Sequence, residues 1–173
     1  MPNNAINSSN GRRGDARRRA AACSAALFLQ LVCATPGAQG TGIEALHVFA
    51  LPVALNLDSS PGPDGFGVTV YASAATPAKG LPITAGQLEI LMFDGALSAK
   101  GTIKAAPRQS WAFTATDLKE HVVKTSLGTG YRFTPRWTNA PPENSRITIV
   151  VQYAPVRGAL LQSEPTTIPL TVK

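Results

Sequence analysis

The chain has 173 residues, with 16 Lys and Arg against 10 Asp and Glu and a formal net charge of +6. Five of the arginines precede residue 20, and residues 41–173 carry 11 basic against 9 acidic side chains, a net charge of only +2. The basicity therefore belongs to the N-terminal segment, and the composition excludes nucleic acid as a partner of the remainder.

The first forty residues have the order of a secretory signal. Arginines up to Arg19 form a basic region, the fifteen residues Ala20–Ala34 form an apolar run, and small, loop-forming residues follow. This order is typical of a signal peptide, and the run is shorter than the roughly 20 residues that a membrane-spanning helix needs. We expect residues 1–40 to be a disordered leader and tether, and residues 41–173 to be a single domain.

The leader can end in more than one way. Small residues precede a cut after Gly40 and a cut after Ala34, so signal peptidase can act at either position. Alternatively, the segment 31–34 resembles the lipobox of bacterial lipoproteins, which implies an acylated Cys33. An uncleaved anchor is the third alternative. Each predicts an exported protein, in the periplasm, associated with the outer membrane or extracellular. It meets a membrane only through its N-terminus, if Cys33 is acylated.

Both cysteines, Cys23 and Cys33, lie in the leader. Residues 41–173 therefore have neither a disulfide framework nor a cysteine-based metal site. About 133 residues are enough to fold by burial of a core, because a domain of that size buries roughly two-thirds of its unfolded surface.

The body alternates at a period of two, which is typical of β-strands. About seven short strands, separated by clusters rich in Gly, Pro, Asp and Ser, predict an all-β fold, a single antiparallel sandwich. We expect Val68, Val70, Ile90, Ile149, Tyr131, Phe133 and Trp137 to form the core. The strand around Ile90 is apolar on both faces, which predicts a central, covered strand.

Three other segments have distinct patterns. Leu46–Leu57 reads as one long apolar strand interrupted by Pro52, which either bends it or moves it from one sheet to the other. Pro165–Val172 reads as an edge strand, or as a strand with an irregular first half, because its prolines cannot donate to a ladder. One short helix is predicted at Asp117–Val123, where Asp117 and Glu120 have the spacing of a capping box.

Two short motifs resemble immunoglobulin-like and fibronectin type III sandwiches. Leu127–Tyr131 resembles their tyrosine corner, which implies a buried ring and a hydroxyl that ties down the preceding turn. Ser163–Pro165, followed by alternation, is similar to the last strand of a fibronectin type III domain.

A second resemblance combines the leader, Cys33 and the small sandwich. Together they look like the outer-membrane lipoprotein of the type VI secretion system, with Asn56–Asp58 followed by Gly67–Tyr71 as the matching strand region. The resemblance implies an assembly role in the cell envelope.

Residues with catalytic chemistry are few and scattered. His47 and His121 have no nucleophile motif beside them, and we interpret both as surface or capping residues. Glu89 and Asp94 are too far apart along one strand and its exit to act as an acid and base pair. We therefore predict that the protein is not an enzyme and has no cofactor.

The loop Asp58–Gly65 has a superficial likeness to a calcium loop. The fifth position is Gly62, where an EF-type loop needs a side-chain oxygen ligand, and the twelfth is Thr69, where it needs a bidentate Glu. A Pro- and Gly-rich turn is the favoured interpretation, with adventitious calcium at Asp58 and Asp64 as the alternative.

Three arginines form the candidate binding patch. Arg132 and Arg136 share one side of a strand, and a hairpin with the next strand, Arg146–Tyr153, would bring Arg146 near Arg136. Three guanidinium groups would receive an anion such as a lipid headgroup, an acidic glycan or a partner carboxylate. The alternative is an ordinary solvated face.

The sequence favours a non-catalytic, exported envelope protein, a β-sandwich that binds or assembles with a protein partner or another envelope component. Partner contact is expected at loops and at the arginine-bearing face. The alternative is a small ligand- or carbohydrate-binding domain that uses loops at one end of the sandwich. Trp111 and Phe113 would be a sugar platform in that case, although core packing is the favoured interpretation.

Overall fold

The structure is a computed structural model that describes residues 42–75, 79–97, 105–138 and 141–171. The predicted leader, both cleavage sites and Cys33 lie outside these ranges. The described residues form two β-sheets and one short helix, so the predicted all-β class is confirmed. They contain ten strands, two of which have only two residues, where about seven were predicted.

The first sheet has the strand order β1-β2-β3-β7-β6. Its strands are β1 Ala45–Ala50, β2 Val68–Ser73, β3 Gly80–Leu81, β6 Val122–Thr125 and β7 Gly128–Phe133. Pairing is antiparallel except where Gly80 of β3 lies parallel to Gly128 of β7. Strand β2 also pairs directly with β7, with Val70 opposite Tyr131. The short β3 therefore lies between β2 and β7 where those two strands no longer pair with each other.

The second sheet has the order β10-β8-β4-β5, and β9 pairs with β8 as well. Its strands are β4 Gln87–Asp94, β5 Gln109–Thr114, β8 Arg146–Ala154, β9 Leu161–Gln162 and β10 Thr166–Pro169. All of these pairings are antiparallel. The prediction that β4 is a central, covered strand is confirmed, because it lies between β8 and β5 and residues 90–93 are buried.

One hydrophobic core contains side chains from both sheets. All of the predicted core residues are buried in it: Val68, Val70, Ile90, Tyr131, Phe133, Trp137 and Ile149. Trp111 and Phe113 pack against this core from β5, which confirms the core interpretation of those rings. Trp111 meets Phe66 edge-on at 5.5 Å between ring centroids. A strand alternating at a period of two places such side chains on one face.

The predicted long strand Leu46–Leu57 is wrong. Strand β1 ends at Ala50, and beyond it only Leu55 forms an isolated bridge, with Gly65. Pro52 has no N–H to donate, so the ladder cannot continue through it. The chain turns there instead of bending as a strand.

The short helix is confirmed as a 3-10 helix at Asp117–His121, with Leu118 buried in the core. The predicted capping box is wrong, because Thr116 occupies the N-cap and makes no side-chain capping bond. The Asp117 carboxylate instead accepts hydrogen bonds from the hydroxyl and the backbone N–H of Thr114, each at 2.8 Å. Those two bonds, the hydroxyl first, lower the pKa of Asp117.

The tyrosine-corner prediction is correct for the ring and wrong for the hydroxyl. The Tyr131 ring is buried, as expected. Its hydroxyl oxygen accepts a hydrogen bond from the backbone N–H of Ile83 at 2.6 Å and does not tie down the turn before β7. Ile83 follows β3 by two residues, so the position of β3 in the sheet places the Ile83 N–H beside the Tyr131 hydroxyl.

The predicted C-terminal edge strand is confirmed as β10, although Val172 lies outside the described residues. Ile168 packs into the core, and Pro169 lies opposite Arg146 of β8. The backbone N–H of Ala54 donates to the carbonyl of Pro169 at 3.0 Å. The loop after β1 therefore binds to the end of this edge strand.

Candidate functional site

The structure places two of the three arginines of the predicted patch in different sheets. Arg132 lies in β7 of the first sheet and Arg146 lies in β8 of the second, so the hairpin predicted between these strands is wrong. The segment Ile147–Val151 is buried throughout. A strand covered on both faces belongs at the centre of a sheet, and β8 accordingly pairs with β4 and β10.

Arg136 binds carboxylates of its own chain. Its Nη2 contacts the Asp58 carboxylate, and its Nε lies 2.7 Å from Oδ2 of Asp64. That oxygen is buried without an aligned hydrogen bond, so the second contact is held by charge. The other Asp64 oxygen accepts the backbone N–H of Leu57 at 2.6 Å. The two aspartates of the calcium alternative therefore face a guanidinium group, which ties their loop to the end of β7.

Arg132 lies in a groove on the outer face of the first sheet, which we call the outer groove. Phe49, Thr69 and Arg132 form one row across β1, β2 and β7. The groove has a volume of about 490 Å³, and Leu51 and Thr134 also line it. Phe49 is 55% exposed and Leu51 is 47% exposed. Two large apolar side chains thus stand beside a cation on an open sheet face.

Phe49 rests on a fixed support. The ring of Tyr71 lies across Gly130, where a Cβ atom would be 2.7 Å from Cε1 of the tyrosine. The Tyr71 hydroxyl shares a hydrogen bond with the hydroxyl of Thr125 at 3.1 Å, and Phe49 meets the Tyr71 ring edge-on at 5.7 Å. The glycine permits this close approach. The contact with Gly130 and the hydrogen bond to Thr125 together restrain the Tyr71 ring beside the groove.

The charge of Arg132 is not neutralised within the part of the chain that the structure describes, where its side chain has no ion pair. Its backbone carbonyl accepts a hydrogen bond from Nδ1 of His121 at 3.2 Å. The His121 ring packs against Phe113 and Phe133, with centroid distances of 5.2 and 4.6 Å. His121 is thus a partly exposed residue in the last turn of the 3-10 helix, and its ring both packs on these phenylalanines and binds the backbone of β7.

His47 is exposed, and its Nε2 lies 3.0 Å from the hydroxyl of Ser73. A histidine beside a serine is the pairing that activates a nucleophile. Ser73, however, is only 1% exposed, so a substrate cannot reach its hydroxyl. The contact therefore joins β1 to β2, and the pair does not form a catalytic site.

A second concave site opens between the two sheets beside β6, and we call it the interlayer cavity. Its volume is about 280 Å³. Its walls come from the β3–β4 connection, the start of the 3-10 helix, β6 and β7. The lining residues are Pro82, Ile83, Thr84, Ala115, Thr116, Leu118, Lys119, Val122, Lys124, Thr129 and Tyr131.

Asp94 joins three segments at the end of β4. Its carboxylate accepts the backbone N–H groups of Glu143 at 2.8 Å and Asn144 at 3.0 Å, and it forms an ion pair with Arg108 at 3.1 Å. Partial burial raises the pKa of Asp94, but the hydrogen bonds from Glu143 and Asn144 and the charge of Arg108 outweigh it, so the pKa is lowered. Glu89 takes no part in this cluster. Asp94 is therefore an anchor between loops and not one half of a catalytic pair.

The described residues contain no group of three or more His, Cys, Asp or Glu placed to hold a metal ion. Within the same residues, no helix has both the length and the apolar character needed to cross a membrane. In comparisons with known proteins, the chain matches no protein-family model, and neither a curated protein nor a solved structure is similar to it.

Proposed function

We propose that the chain is a non-catalytic, exported binding module of the cell envelope. In this proposal, an immunoglobulin-like sandwich presents the outer groove to a protein partner. The observation that carries the proposal is the row of Phe49, Thr69 and Arg132. In it, an exposed ring shares one open face with a cation that has no ion pair among the described residues.

Exposed Phe49 and Leu51 support a protein partner. Large apolar side chains that adjoin one another on a surface mark interaction sites more often than isolated ones do. Aromatic residues and arginine also contribute most of the binding energy in many protein interfaces. The Tyr71 ring behind Phe49 adds rigidity, which reduces the entropy lost when the groove is occupied.

The groove fits a segment with an apolar side chain next to a carboxylate. The apolar side chain would cover Phe49 and Leu51, and the carboxylate would accept two parallel hydrogen bonds from the Arg132 guanidinium. Arg136 is already engaged by Asp58 and Asp64, and Arg146 lies in the second sheet, so the proposed anion contact in the outer groove rests on Arg132 among the three predicted arginines.

Export is the second part of the proposal. It is supported by the basic, apolar and small segments in residues 1–40. Mass spectrometry of the protein from fractionated cells should find an N-terminus at Thr41, at Thr35 or at an acylated Cys33. An intact Met1 on protein that stays in the cytoplasm would contradict export. The resemblance to the type VI secretion lipoprotein supplies one candidate setting for an acylated form.

The test of the outer groove is site-specific photocrosslinking in intact cells. A photoreactive phenylalanine analogue at Phe49 should give one discrete adduct with a partner. The same analogue at Leu160, which is also 55% exposed, is the matched control and should give none.

The arginine dependence completes this test. Arg132→Ser should reduce the Phe49 adduct several-fold, because a charge-assisted contact is lost. Arg157→Ser, at another exposed arginine, should leave the yield unchanged. Adducts of equal yield from positions 49 and 160, or a yield unaffected by Arg132→Ser, would contradict the proposal.

A further inference from the structure

We propose that the interlayer cavity binds a small organic acid, with the carboxylate held at Tyr131 and Lys124 and a short apolar body against the cavity wall. This site is separate from the outer groove, and its argument does not depend on the proposed protein partner.

The cavity has an apolar wall. Ile83 and Leu118 are both buried and line it, and Val122 stands at the exposed end. Small-molecule sites are usually apolar with a few fixed polar groups, and this cavity has that composition. Apolar walls disfavour a strongly hydrated inorganic ion, because its lost hydration would not be replaced there.

Tyr131 supplies a buried donor. Its hydroxyl oxygen already accepts the N–H of Ile83 at 2.6 Å, while its own proton has no acceptor among the described residues. Burial raises the pKa of Tyr131, so the proton stays on the hydroxyl at neutral pH. A buried hydroxyl proton without an acceptor costs free energy until an acceptor arrives.

Two lysines supply charge. Lys124 Nζ donates to the hydroxyl of the buried Thr129 at 2.7 Å, and its other protons remain available for a ligand. Lys119 also lines the cavity, and no Asp or Glu is among the lining residues. Positive charge with no carboxylate in the cavity lining favours an anion, and the Thr129 contact fixes where Lys124 holds it.

The size of the cavity limits the ligand. Its 280 Å³ lies just below the roughly 300–1,000 Å³ of sites that take drug-sized molecules. A short monocarboxylate fits this volume better than a lipid or an oligosaccharide does.

The probe is hexanoate, titrated into the isotope-labelled full chain and followed by NMR, with 1-hexanol as the neutral control of equal chain length. Hexanoate should bind saturably and shift the backbone signals of Ile83, Val122 and Thr129. The alcohol should bind about tenfold more weakly or worse, because it lacks the charge-assisted hydrogen bonds.

Variants then assign the contacts. The pair Lys119→Met and Lys124→Met should bring hexanoate down to the affinity of 1-hexanol, whereas Lys79→Met, at a lysine that does not line the cavity, should change nothing. Tyr131→Phe should also weaken hexanoate and leave hexanol unchanged. If that variant fails to fold, as its spectrum would show, the exposed lysine variants still decide the question.

The proposal is overturned by any of three results. The first is a failure of hexanoate to saturate the site at millimolar concentration. The second is an affinity for the alcohol equal to that for the acid, and the third is a set of shifted signals that lies away from the cavity. An unchanged affinity in the double lysine variant would equally remove the assigned role of Lys119 and Lys124.

Discussion

The outer faces of both sheets carry large apolar side chains, yet among the described residues only those on the second sheet are covered by another segment of the chain. On the second sheet, Leu91, Phe93 and Val150 form a small cluster of buried side chains, and Leu97 packs on them. We call this the covered face. On the first sheet, Phe49 and Leu51 remain about half exposed in the outer groove.

The cover on the second sheet is anchored at a buried threonine. The Thr148 hydroxyl donates to the carbonyl of Gly95 at 2.7 Å and accepts the N–H of Leu97 at 3.3 Å. These bonds hold the segment after β4 across the sheet, so that Leu97 reaches Phe93. No comparable segment of the described residues lies over Phe49. The outer groove is therefore exposed because no described segment crosses it, and not because the two sheets differ in the apolar side chains on their outer faces.

The largest expected contrast is in the stability lost when a phenylalanine is removed from the covered face or from the outer groove. Phe93→Ala should destabilise the protein by about 3–5 kcal/mol, because it empties a site that is only 3% exposed. Phe49→Ala should cost about 1 kcal/mol or less, since its ring already meets water. Urea denaturation of both variants measures the difference. Equal losses would mean that the two faces are packed alike.

The support of the outer groove gives the second contrast. Gly130→Ala should cost about 1–3 kcal/mol, because the new Cβ would overlap the Tyr71 ring. Tyr71→Ala should remove that overlap, so the double variant should be less destabilised than the sum of the two single variants. A double-mutant cycle by urea denaturation tests this, and strict additivity would show that the ring does not rest on the glycine.

The third contrast separates two arginines at the same end of the first sheet. Arg136→Ala should cost about 1 kcal/mol, because it breaks a network with two aspartates that is only partly exposed. Arg132→Ala should change the free energy of unfolding by no more than about 0.5 kcal/mol, as expected of a surface side chain without an ion pair among the described residues. The free energies of unfolding, compared at low and high salt, check both values. A larger loss for Arg132 would point to a structural role in place of binding.

The smallest expected difference is in acid stability at the end of the covered face. The lowered pKa of Asp94 means that its ionised form stabilises the fold above the ordinary Asp pKa of about 3.9. This contribution should be lost as pH falls through that value toward the lower pKa of the folded state. Asp94→Asn should therefore lose less stability than the parent between pH 5 and pH 2, measured as urea midpoints. Glu89→Gln, on the same strand, is the control, and a variant curve parallel to the parent's would refute the assignment.

Sequence patterns predicted which residues are buried better than which strands are neighbours. A period of two placed Val68, Val70, Ile90 and Ile149 in the core, because alternation alone decides which side chains face inward. The same pattern carries no information about which sheet a strand joins, and the hairpin between the strands of Arg132 and Arg146 was wrong for that reason.

The candidate sites depended on contacts between residues far apart in sequence. Asp58 and Arg136 are 78 residues apart, and no pattern in the sequence links them. The two-residue strand β3 is too short for any periodicity, yet it brings Ile83 to Tyr131 and so builds one wall of the interlayer cavity. Arg132 was predicted as a binding residue, whereas the exposed Phe49 beside it was not, because the strand pattern there indicated only an apolar run.

The two margins of the second sheet differ in how they meet other extended chains. At β10, the backbone is closed by the bond from Ala54 and by the proline at 169. At β5, the hydrogen bonds to segments other than its neighbour β4 are, among the described residues, at its two ends, through Gln109 and Thr138 and through Thr114 and Asp117. Its sequence from Gln109 to Thr114 has neither a proline nor a charge. Unpaired N–H and carbonyl groups in such a strand are a template for another chain. Of these two margins, β5 should therefore be the one that pairs with another chain in concentrated protein, and Ala112→Lys, which places a charge on its exposed face, should reduce that pairing.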